Sequence, residues 1–290
     1  MFRWPLGLGV LKKFENLKNK TTIRTKNRKP ETGNRKPFQV KAKKHLGQHF
    51  LKDQNIAKKI VDALVPADTA VMEVGPGMGV LTQFLVERCP DLFLIEIDGE
   101  SIEYLKKNYP LLGDRIIRGD FLKLELKKLS DKKWSVIGNF PYNISSQILF
   151  KVLEQRQIVT HAVGMVQKEV AQRIASPPGS KEYGILSVLL QAFYKIKLLF
   201  SVPPGVFIPP PKVNSAVLSL VRNSTEKLDC DETLFFKVVK QAFQTRRKTL
   251  RNALKNLNLP EAFQSHELLN KRAEQLSVEE FVFITKQFDQ

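Results

Sequence analysis

Cysteine is scarce in this chain of 290 residues, and long apolar runs are absent. Its two cysteines, Cys89 and Cys230, are too few for a disulfide-held scaffold and fit a reducing compartment. The stretches without charge are short or carry polar groups, so none supplies the ~20 apolar residues that a membrane span needs. We therefore expect a soluble intracellular protein without a membrane partner.

Metal-ligand patterns are also lacking, and acidic residues are far fewer than basic ones. The four histidines do not have ligand spacing and the two cysteines are far apart, so the sequence predicts no metal site. Lys and Arg number 47 against 29 Asp and Glu, which gives a net charge of +18. Residues 1–44 hold 14 of the basic residues and 2 acids. This excess favours a polyanionic partner, most commonly nucleic acid, over a tail that only aids solubility.

Residues 1–44 lack a sustained apolar period and are predicted to form a disordered basic arm. A secretory signal is not indicated, because the apolar piece 4–11 is short and two lysines follow it. An organelle transit peptide stays an alternative, since the arm is poor in acids, although it has more Lys than Arg and no Ser. We expect a location in the bacterial cytoplasm, with organelle import through the arm as the alternative.

Short apolar runs that end in polar residues or glycine predict strands, and helical periods separate most of them. The predicted strands are residues 70–74, 92–97, 115–117, 134–137 and 162–166. Strands alternating with helices predict an α/β fold with a parallel, doubly wound, Rossmann-like sheet. Residues 195–202 and 216–221 predict a closing pair of strands.

After residue 222 the pattern becomes helical only. It predicts one long helix over residues 235–256 and shorter helices over 259–263, 266–269 and 278–288. We therefore expect three parts: the arm 1–44, a catalytic α/β domain over 45–222 and a small all-helical domain over 223–290.

The first predicted strand runs into a glycine-rich turn, Glu73-Val-Gly75-Pro-Gly77-Met-Gly79, and a helix follows. Glycines let the backbone turn sharply and approach a ligand without a Cβ clash. A dinucleotide site must be considered, but the spacing is Gly-x-Gly-x-Gly rather than Gly-x-Gly-x-x-Gly. The turn resembles motif I of S-adenosylmethionine-dependent methyltransferases, which makes Gly75 and Gly77 candidate cofactor-binding residues.

Two further acids follow strands in the same predicted sheet. Glu96 ends the second strand about 20 residues after the glycines, where a Rossmann-type sheet places an acceptor for ribose hydroxyls. Asp120 follows the third strand, where it can accept a hydrogen bond from an adenine amino group. Acids at three successive strand ends, together with the glycines, favour a nucleoside cofactor over three solvated caps.

The stretch Asn139-Phe140-Pro141-Tyr142 ends an apolar strand. It is similar to the signature of methyltransferases that alkylate exocyclic amino groups of nucleobases. Adenine N6 is a poor nucleophile, and the Asn139 side-chain oxygen with the Phe140 carbonyl can accept from its two N–H groups. Pro141 restricts φ and keeps those carbonyls oriented, and Tyr142 offers a face for the base. The alternative is an ordinary β-turn, since Asn-x-Pro is common in turns.

With these motifs the chain resembles the ribosomal RNA adenine dimethyltransferases, in particular the small-subunit branch (the KsgA type), from about His45 to the C-terminus. The segment Lys44-His-Leu-Gly-Gln-His49-Phe-Leu51 is similar to the family's N-terminal motif. The resemblance implies that His49 and Leu51 contact the cofactor, with Gly75, Glu96, Asp120 and Asn139 as the other binding positions. His49 stands where many members have Asn. Both side chains can donate a hydrogen bond.

Phe207-Ile-Pro209-Pro-Pro-Lys-Val-Asn-Ser215 resembles the family's Phe-x-Pro-x-Pro-x-Val-x-Ser segment. The resemblance implies that Phe207 covers the flipped base opposite Tyr142, and two aromatic walls suit a base taken out of its stack. Core packing is the alternative for Phe207.

A basic segment in the predicted long helix is the candidate RNA-binding surface. On a helix Arg247, Arg251 and Lys255 share one face, and no acid lies between Gln244 and Lys255. Phosphate contacts are favoured over a merely solvated helix face, and they would give binding a steep salt dependence. The candidate residues are Arg246, Arg247, Lys248, Arg251 and Lys255.

The resemblance implies transfer of methyl groups from S-adenosylmethionine to N6 of two adjacent adenosines in the 3′-terminal hairpin loop of small-subunit (16S) rRNA. Each adenosine would be dimethylated, by a monomer acting on a nearly assembled small subunit (pre-30S). Two alternatives stay open. One is a non-catalytic RNA-binding assembly factor that kept the fold, and the other is a mitochondrial relative that acts partly in transcription.

Overall fold

The computed structural model describes residues 40–64, 68–257 and 259–288. Seven strands of this part form one sheet in the order β4–β3–β2–β5–β6–β9–β7. Their bounds are β2 Ala70–Val74, β3 Leu92–Glu96, β4 Ile116–Arg118, β5 Trp134–Asn139, β6 Val159–Gln167, β7 Tyr194–Val202 and β9 Ser215–Arg222. Two short strands, β1 Phe50–Leu51 and β8 Phe207–Ile208, form a separate antiparallel ladder.

The five strands from β4 to β6 pair in parallel, whereas β9 is antiparallel to both β6 and β7. All five residues of β2 are buried, as expected for a central strand covered on both faces. The predicted α/β sheet and its closing pair of strands are therefore confirmed. The chain order reverses between β2 and β5, and ligands of such sheets bind outside the carboxyl ends of the strands at that point.

Helices follow most of the strands, and acidic side chains cap the N-termini of two of them. Asp53 and Asp98 accept backbone N–H groups as N-caps of the first and third helices. The helices of the α/β part are α1 Gln54–Asp62, α2 Thr82–Leu85, α3 Gly99–Asn108, α4 Ser145–Glu154, α5 Lys168–Ala175 and α6 Ile185–Gln191. None of the described helices has the length and apolarity that crossing a membrane requires.

The C-terminal part contains α7 Glu232–Gln244, α8 Leu250–Ala253 and α9 Val278–Lys286, joined by 3₁₀ turns. The single helix predicted over residues 235–256 is wrong. Thr245 has φ −123° and ψ 60°, and Thr249 pairs with Arg272 in an antiparallel bridge. Hydrogen bonds to other segments therefore break the helix, which the local apolar period does not reveal.

The C-terminal helices pack into the same hydrophobic core as the helices that cover the sheet. The Tyr183 ring lies 6.3 Å from that of Phe243, which lies 6.1 Å from that of Phe281. The division into domains at residues 222–223 stays a prediction. Of the predicted arm, residues 1–39 lie outside the described chain. Val40, however, is buried and Lys43 forms an ion pair with Asp98, so folded contacts begin before His45.

Candidate active site

An open cavity lies at the carboxyl ends of β2, β3 and β5, where the chain order reverses. Residues 46–50 of the N-terminal segment and residues 139–142 line it. Gly75, Gly77, Glu96 and Ile97 complete the lining. The structure thus brings together the predicted glycine turn, one predicted acid and the Asn-Phe-Pro-Tyr motif.

The glycine turn needs glycine at both cavity positions. Gly75 and Gly77 have φ values of 67° and 56°, in the left-handed region that other residues rarely adopt. A Cβ on Gly75 would make only an ordinary van der Waals contact with Pro141, at 3.9 Å, so the space beside this backbone is not filled. A Cβ on Gly77 would lie 2.7 Å from the Phe50 ring. The turn can therefore present its backbone to a ligand, with Phe50 packed against it.

Glu96 is an acceptor that the backbone holds in place. Its carboxylate accepts N–H groups from Gly77 at 3.1 Å, Ile97 at 2.9 Å and Asp98 at 3.0 Å. Burial raises the pKa of Glu96, and these three N–H groups oppose that rise by favouring the charged form. A carboxylate with fixed orientation at the cavity wall can accept ligand hydroxyls with its remaining lone pairs.

Glu73 lies one strand away and is buried more completely, at 1% exposure. The Thr82 hydroxyl donates to its carboxyl group at 2.7 Å. Burial raises the pKa of Glu73 to about 8, partly offset by that hydrogen bond. Together with Leu51 it lines a neighbouring cavity that also reaches Gly75 and Asn139.

Asp120 is not among the residues that line either of these two cavities. It caps a 3₁₀ turn after β4 by accepting the backbone N–H of Leu122 at 3.0 Å. It lies at the same edge of the sheet as Glu96, because β4 runs parallel to β3. Its predicted contact with a cofactor stays a prediction.

Asn139 ends β5 with its side chain oriented by a backbone carbonyl. Its Nδ2 donates to the His49 carbonyl at 2.8 Å. A carbonyl can only accept, so the amide nitrogen must face His49 and Oδ1 must face away. No described residue donates to that Oδ1, which leaves an oriented acceptor at the cavity wall.

Phe140 contributes to the cavity through its backbone, while its ring belongs to the core. A Cβ on Gly164 would lie 2.3 Å from the Phe140 ring, and one on Gly138 would lie 2.9 Å from it. The ring therefore fills space left by two glycines on neighbouring strands, and its N–H donates to the Met165 carbonyl at 3.0 Å. These contacts fix the position of Phe140 directly after Asn139, and the role of its carbonyl in an acceptor pair stays a prediction.

Tyr142 and His49 face each other across the cavity wall. Their rings stack with centroids 5.3 Å apart and an interplanar angle of 27°. The Tyr142 hydroxyl is hydrogen-bonded to the Ser215 hydroxyl, and burial raises the pKa of Tyr142. The His49 Nδ1 lies 2.7 Å from the Pro209 carbonyl. One face of Tyr142 is thus covered by a residue that the sequence placed at the cofactor.

Phe207 is not among the residues that line the cavity, and its predicted contact with a base opposite Tyr142 stays a prediction. It is 1% exposed and packs in a hydrophobic cluster that includes Leu51, its partner in the β1–β8 ladder, and Val217. Alternation along β8 explains this placement: Phe207 points into the core while Ile208 is exposed.

Sequence reasoning missed two features of the cavity. Ile97 is 54% exposed and lies beside Glu96, where it offers an apolar surface. The sequence signal for this surface is an apolar residue directly after an acid that ends a strand. Residues 46–48 also line the cavity, and Lys43, hydrogen-bonded through its N–H to Gln48, anchors this segment to Asp98.

The predicted basic face of residues 247–255 is not formed, because the helix breaks between Thr245 and Thr249. Arg246 donates to the carbonyls of Lys181 and Tyr183, the latter at 3.3 Å. Arg251 donates to the Gln264 carbonyl and to the Asn270 side chain. The remaining candidates are exposed and have no ion-pair partner among the described residues: Arg247, Lys248 and Lys255. Within the same part of the chain, no cluster of His, Cys, Asp and Glu could hold a metal ion.

Comparisons with known proteins agree with this geometry. A family model for ribosomal RNA adenine dimethylases matches residues 39–290. A ribosomal RNA small subunit methyltransferase A from Cytophaga hutchinsonii is 57% identical over 249 residues, which are 85% of this chain and 96% of that protein. Its namesake from Flavobacterium johnsoniae is 56% identical over 252 residues, covering 86% of this chain and 97% of that protein. The crystal structure of a dimethyladenosine transferase from Plasmodium falciparum superposes with a TM-score of 0.73 at 26% identity, covering 83% and 98% of the two chains.

Proposed function

This chain belongs to the ribosomal RNA adenine dimethylase family, and on that premise we propose that it dimethylates N6 of two adjacent adenosines in small-subunit (16S) rRNA. The methyl donor is S-adenosylmethionine, and the target is the 3′-terminal hairpin loop. Relatives at 56–57% identity that are named for the small ribosomal subunit support this choice of substrate. The protein works as a monomer in the bacterial cytoplasm, on a nearly assembled small subunit.

One observation carries the proposal: a single cavity joins a nucleoside-type acceptor with an amine-orienting pair. Glu96, Asn139 and Phe140 all line it, together with Gly75 and Gly77 of the glycine turn. A non-catalytic RNA-binding protein would not require both kinds of oriented acceptor in one cavity.

The residues of the cavity fit S-adenosylmethionine. The lining combines a buried carboxylate, two glycines of the turn and an exposed apolar side chain, which suits a nucleoside with a polar tail. Glu96 would accept the ribose hydroxyls, and the exposed Ile97 would lie against the purine. The open backbone at Gly75 would accommodate the amino acid part. Asp120 would accept from the adenine amino group. When bound, the cofactor supplies a methyl group activated on a sulfonium.

The amine of the target base is then handled by the acceptor pair. In the first transfer Asn139 Oδ1 and the Phe140 carbonyl would accept its two N–H groups and aim its lone pair at the methyl carbon. The N–C bond would form as the S–C bond breaks, the thioether would leave, and the amine would lose one proton. In the second transfer the amine would have one N–H group left for this pair. No strong base is needed before transfer, because the methyl group is already activated. The contribution of these residues is therefore alignment within a site that excludes water.

The rRNA phosphates contact the exposed cations of the broken C-terminal helix. Arg247 and Lys248 project from the turn between α7 and α8, and Lys255 follows α8. Arg246 and Arg251 hold that turn and α8 against neighbouring segments through backbone carbonyls. Contacts of this kind position the protein on RNA and make binding depend on salt.

The test is incubation of under-methylated small subunits with labelled S-adenosylmethionine, followed by mapping of the modified nucleotides. We expect label on two adjacent adenosines, up to two methyl groups on each. Pre-methylated subunits serve as the matched control and should take up no label. Label elsewhere in the rRNA, or none with a protein that binds the cofactor, would contradict the proposal.

A further inference from the structure

The ring of His49 covers one face of Tyr142, and both residues line the cavity. The two rings are nearly parallel, at 27°, with centroids 5.3 Å apart. Such an offset stack is the geometry that a purine would adopt on the same tyrosine. The tyrosine face that we assign to the target base is therefore already covered by an aromatic ring from the chain itself.

A hydrogen bond and a strand pairing hold this ring. The Pro209 carbonyl can only accept, so His49 Nδ1 must carry a proton and donate to it, at 2.7 Å. The next residue, Phe50, pairs with Ile208 in the β1–β8 ladder. The backbone on both sides of the contact is thus tied together, while the imidazole itself is held by one hydrogen bond and the stack.

The same residue also orients Asn139. The His49 carbonyl accepts from Asn139 Nδ2 at 2.8 Å, so one residue contacts both the amine-orienting side chain and the base-stacking ring. These two contacts use different parts of His49. A ring that swings away can leave the carbonyl in place, so that Oδ1 of Asn139 keeps its orientation while the face of Tyr142 becomes free.

Resting on the function proposed above, we propose that the His49 ring is a gate that stands in for the target base. It covers Tyr142 in the free protein and leaves when the flipped adenine enters. Two rings cannot share one face of Tyr142, so entry of the adenine requires the exchange. A base that stacks poorly or cannot reach the acceptor pair would not displace the imidazole, which makes His49 a specificity-determining residue.

The exchange has a measurable cost, because the stack must be lost before the base can bind. A stacked aromatic pair favours the stacked state over the open state by about two- to twelvefold. Only the open fraction of the protein accepts a base, so the apparent efficiency is reduced by that factor. His49→Ala removes the ring and keeps the backbone carbonyl. At saturating S-adenosylmethionine it should raise kcat/KM for under-methylated small subunits about two- to twelvefold.

Three further variants sharpen this measurement. His49→Phe keeps a ring but lacks the Nδ1–H group, so it should change kcat/KM less than His49→Ala does. His49→Asn provides a second ring-free variant should His49→Ala fold poorly. His45→Ala, in the same segment at an exposed position, is the matched control. Equal or lower kcat/KM in both ring-free variants, with cofactor saturated, would overturn the gate.

A structural experiment on the unaltered protein decides the matter independently. A cryo-electron microscopy structure of the wild-type protein on under-methylated small subunits, with S-adenosylhomocysteine, should show the imidazole off Tyr142 and an adenine in its place. An imidazole still stacked on Tyr142 would overturn the proposal. Failure of the proposed function would look different: the wild-type protein would not methylate small subunits in the first place.

Discussion

The cavity and the basic C-terminal segment hold their polar side chains in opposite ways. In the cavity the backbone orients the side chain: three N–H groups hold Glu96, and one carbonyl holds Asn139. In the C-terminal segment the side chain orients the backbone, because Arg246 and Arg251 donate to carbonyls of other segments. The first arrangement is partly buried and leaves acceptors facing a cavity. The second is exposed and leaves neighbouring cations facing solvent.

This difference follows from what each region has to recognise. Acceptors that align a reacting amine must stay within a fraction of an ångström, and main-chain groups at strand ends provide that rigidity. Phosphate contacts tolerate flexible cations, because the phosphate backbone of RNA offers many equivalent acceptors. We therefore expect substitutions in the cavity to reduce turnover sharply, and substitutions in the basic segment to divide between binding and stability.

Asn139→Ala should reduce turnover more than any other substitution considered. A small reduction would contradict the view that the cavity holds rigidly oriented acceptors. The variant loses an oriented acceptor in the transition state, and removal of one such group costs roughly 10²–10³-fold in kcat. Cofactor affinity should fall by less than about tenfold, since only one hydrogen-bonding side chain is lost. Single-turnover methylation of small subunits and a cofactor-binding titration measure the two effects.

The matched control for that substitution is Asn108→Ala, at an exposed position on α3 where the side chain bonds only to the Tyr104 carbonyl. It should leave methylation unchanged. If cofactor affinity and turnover fell by the same factor in Asn139→Ala, Asn139 would be a cofactor ligand rather than an orienting acceptor.

Gly164→Ala should have the next largest effect, and it tests whether the core positions the Phe140 carbonyl. The new Cβ would lie 2.3 Å from the Phe140 ring, so the ring must shift. We expect a loss of about 1–3 kcal/mol in the free energy of unfolding, measured in urea, together with reduced turnover. Gly205→Ala is the control, because no heavy atom lies within 4 Å of its added Cβ. Unchanged turnover in a destabilised Gly164→Ala protein would mean that core packing of the Phe140 ring does not position its carbonyl for catalysis.

Glu73→Gln should change the pH dependence of stability. The folded protein keeps the Glu73 proton up to about pH 8, whereas the unfolded chain loses it near 4.5. Between these values the folded state binds more protons, so stability falls as pH rises, by at most about 1.4 kcal/mol per pH unit. Glu73→Gln should flatten this slope between pH 5 and 8, measured by urea unfolding. The same substitution at the exposed Glu103 controls for the change of charge, and an equal flattening there would refute the assignment.

The sheet and the positions of most cavity residues could be predicted from sequence because the signals are local. An apolar run followed by glycines or by an acid predicts a buried strand. It also predicts that the polar residues lie at the carboxyl end of that strand. The strand over residues 70–74 is predicted with the bounds that the structure has. Gly75, Gly77, Glu96 and Asn139 line one cavity because parallel strands end at the same edge.

The remainder depends on contacts between distant segments. The break at Thr245 follows from bonds to residues 181–183 and 271–272, which no helical period can reveal. Phe207 lies in the core because of its pairing with Leu51, more than 150 positions away in the chain. The stack of His49 on Tyr142 likewise joins two motifs that the sequence presents separately.

The smallest effect, and the sharpest test of the comparison, concerns Arg247 and Arg251. One shared helix face would make the two equivalent, whereas the structure gives them different tasks. Arg247→Ala should weaken binding of small subunits and lower the salt slope by about one unit, with stability unchanged, because one phosphate contact is lost. Arg251→Ala should lower the free energy of unfolding by about 0.5–1.5 kcal/mol, because the Gln264 carbonyl and Asn270 lose their donor. Its salt slope should change less than that of Arg247→Ala. Filter binding over a salt series and urea unfolding provide the two readouts. Equal salt slopes and equal free energies of unfolding in the two variants would contradict the different roles given to Arg247 and Arg251.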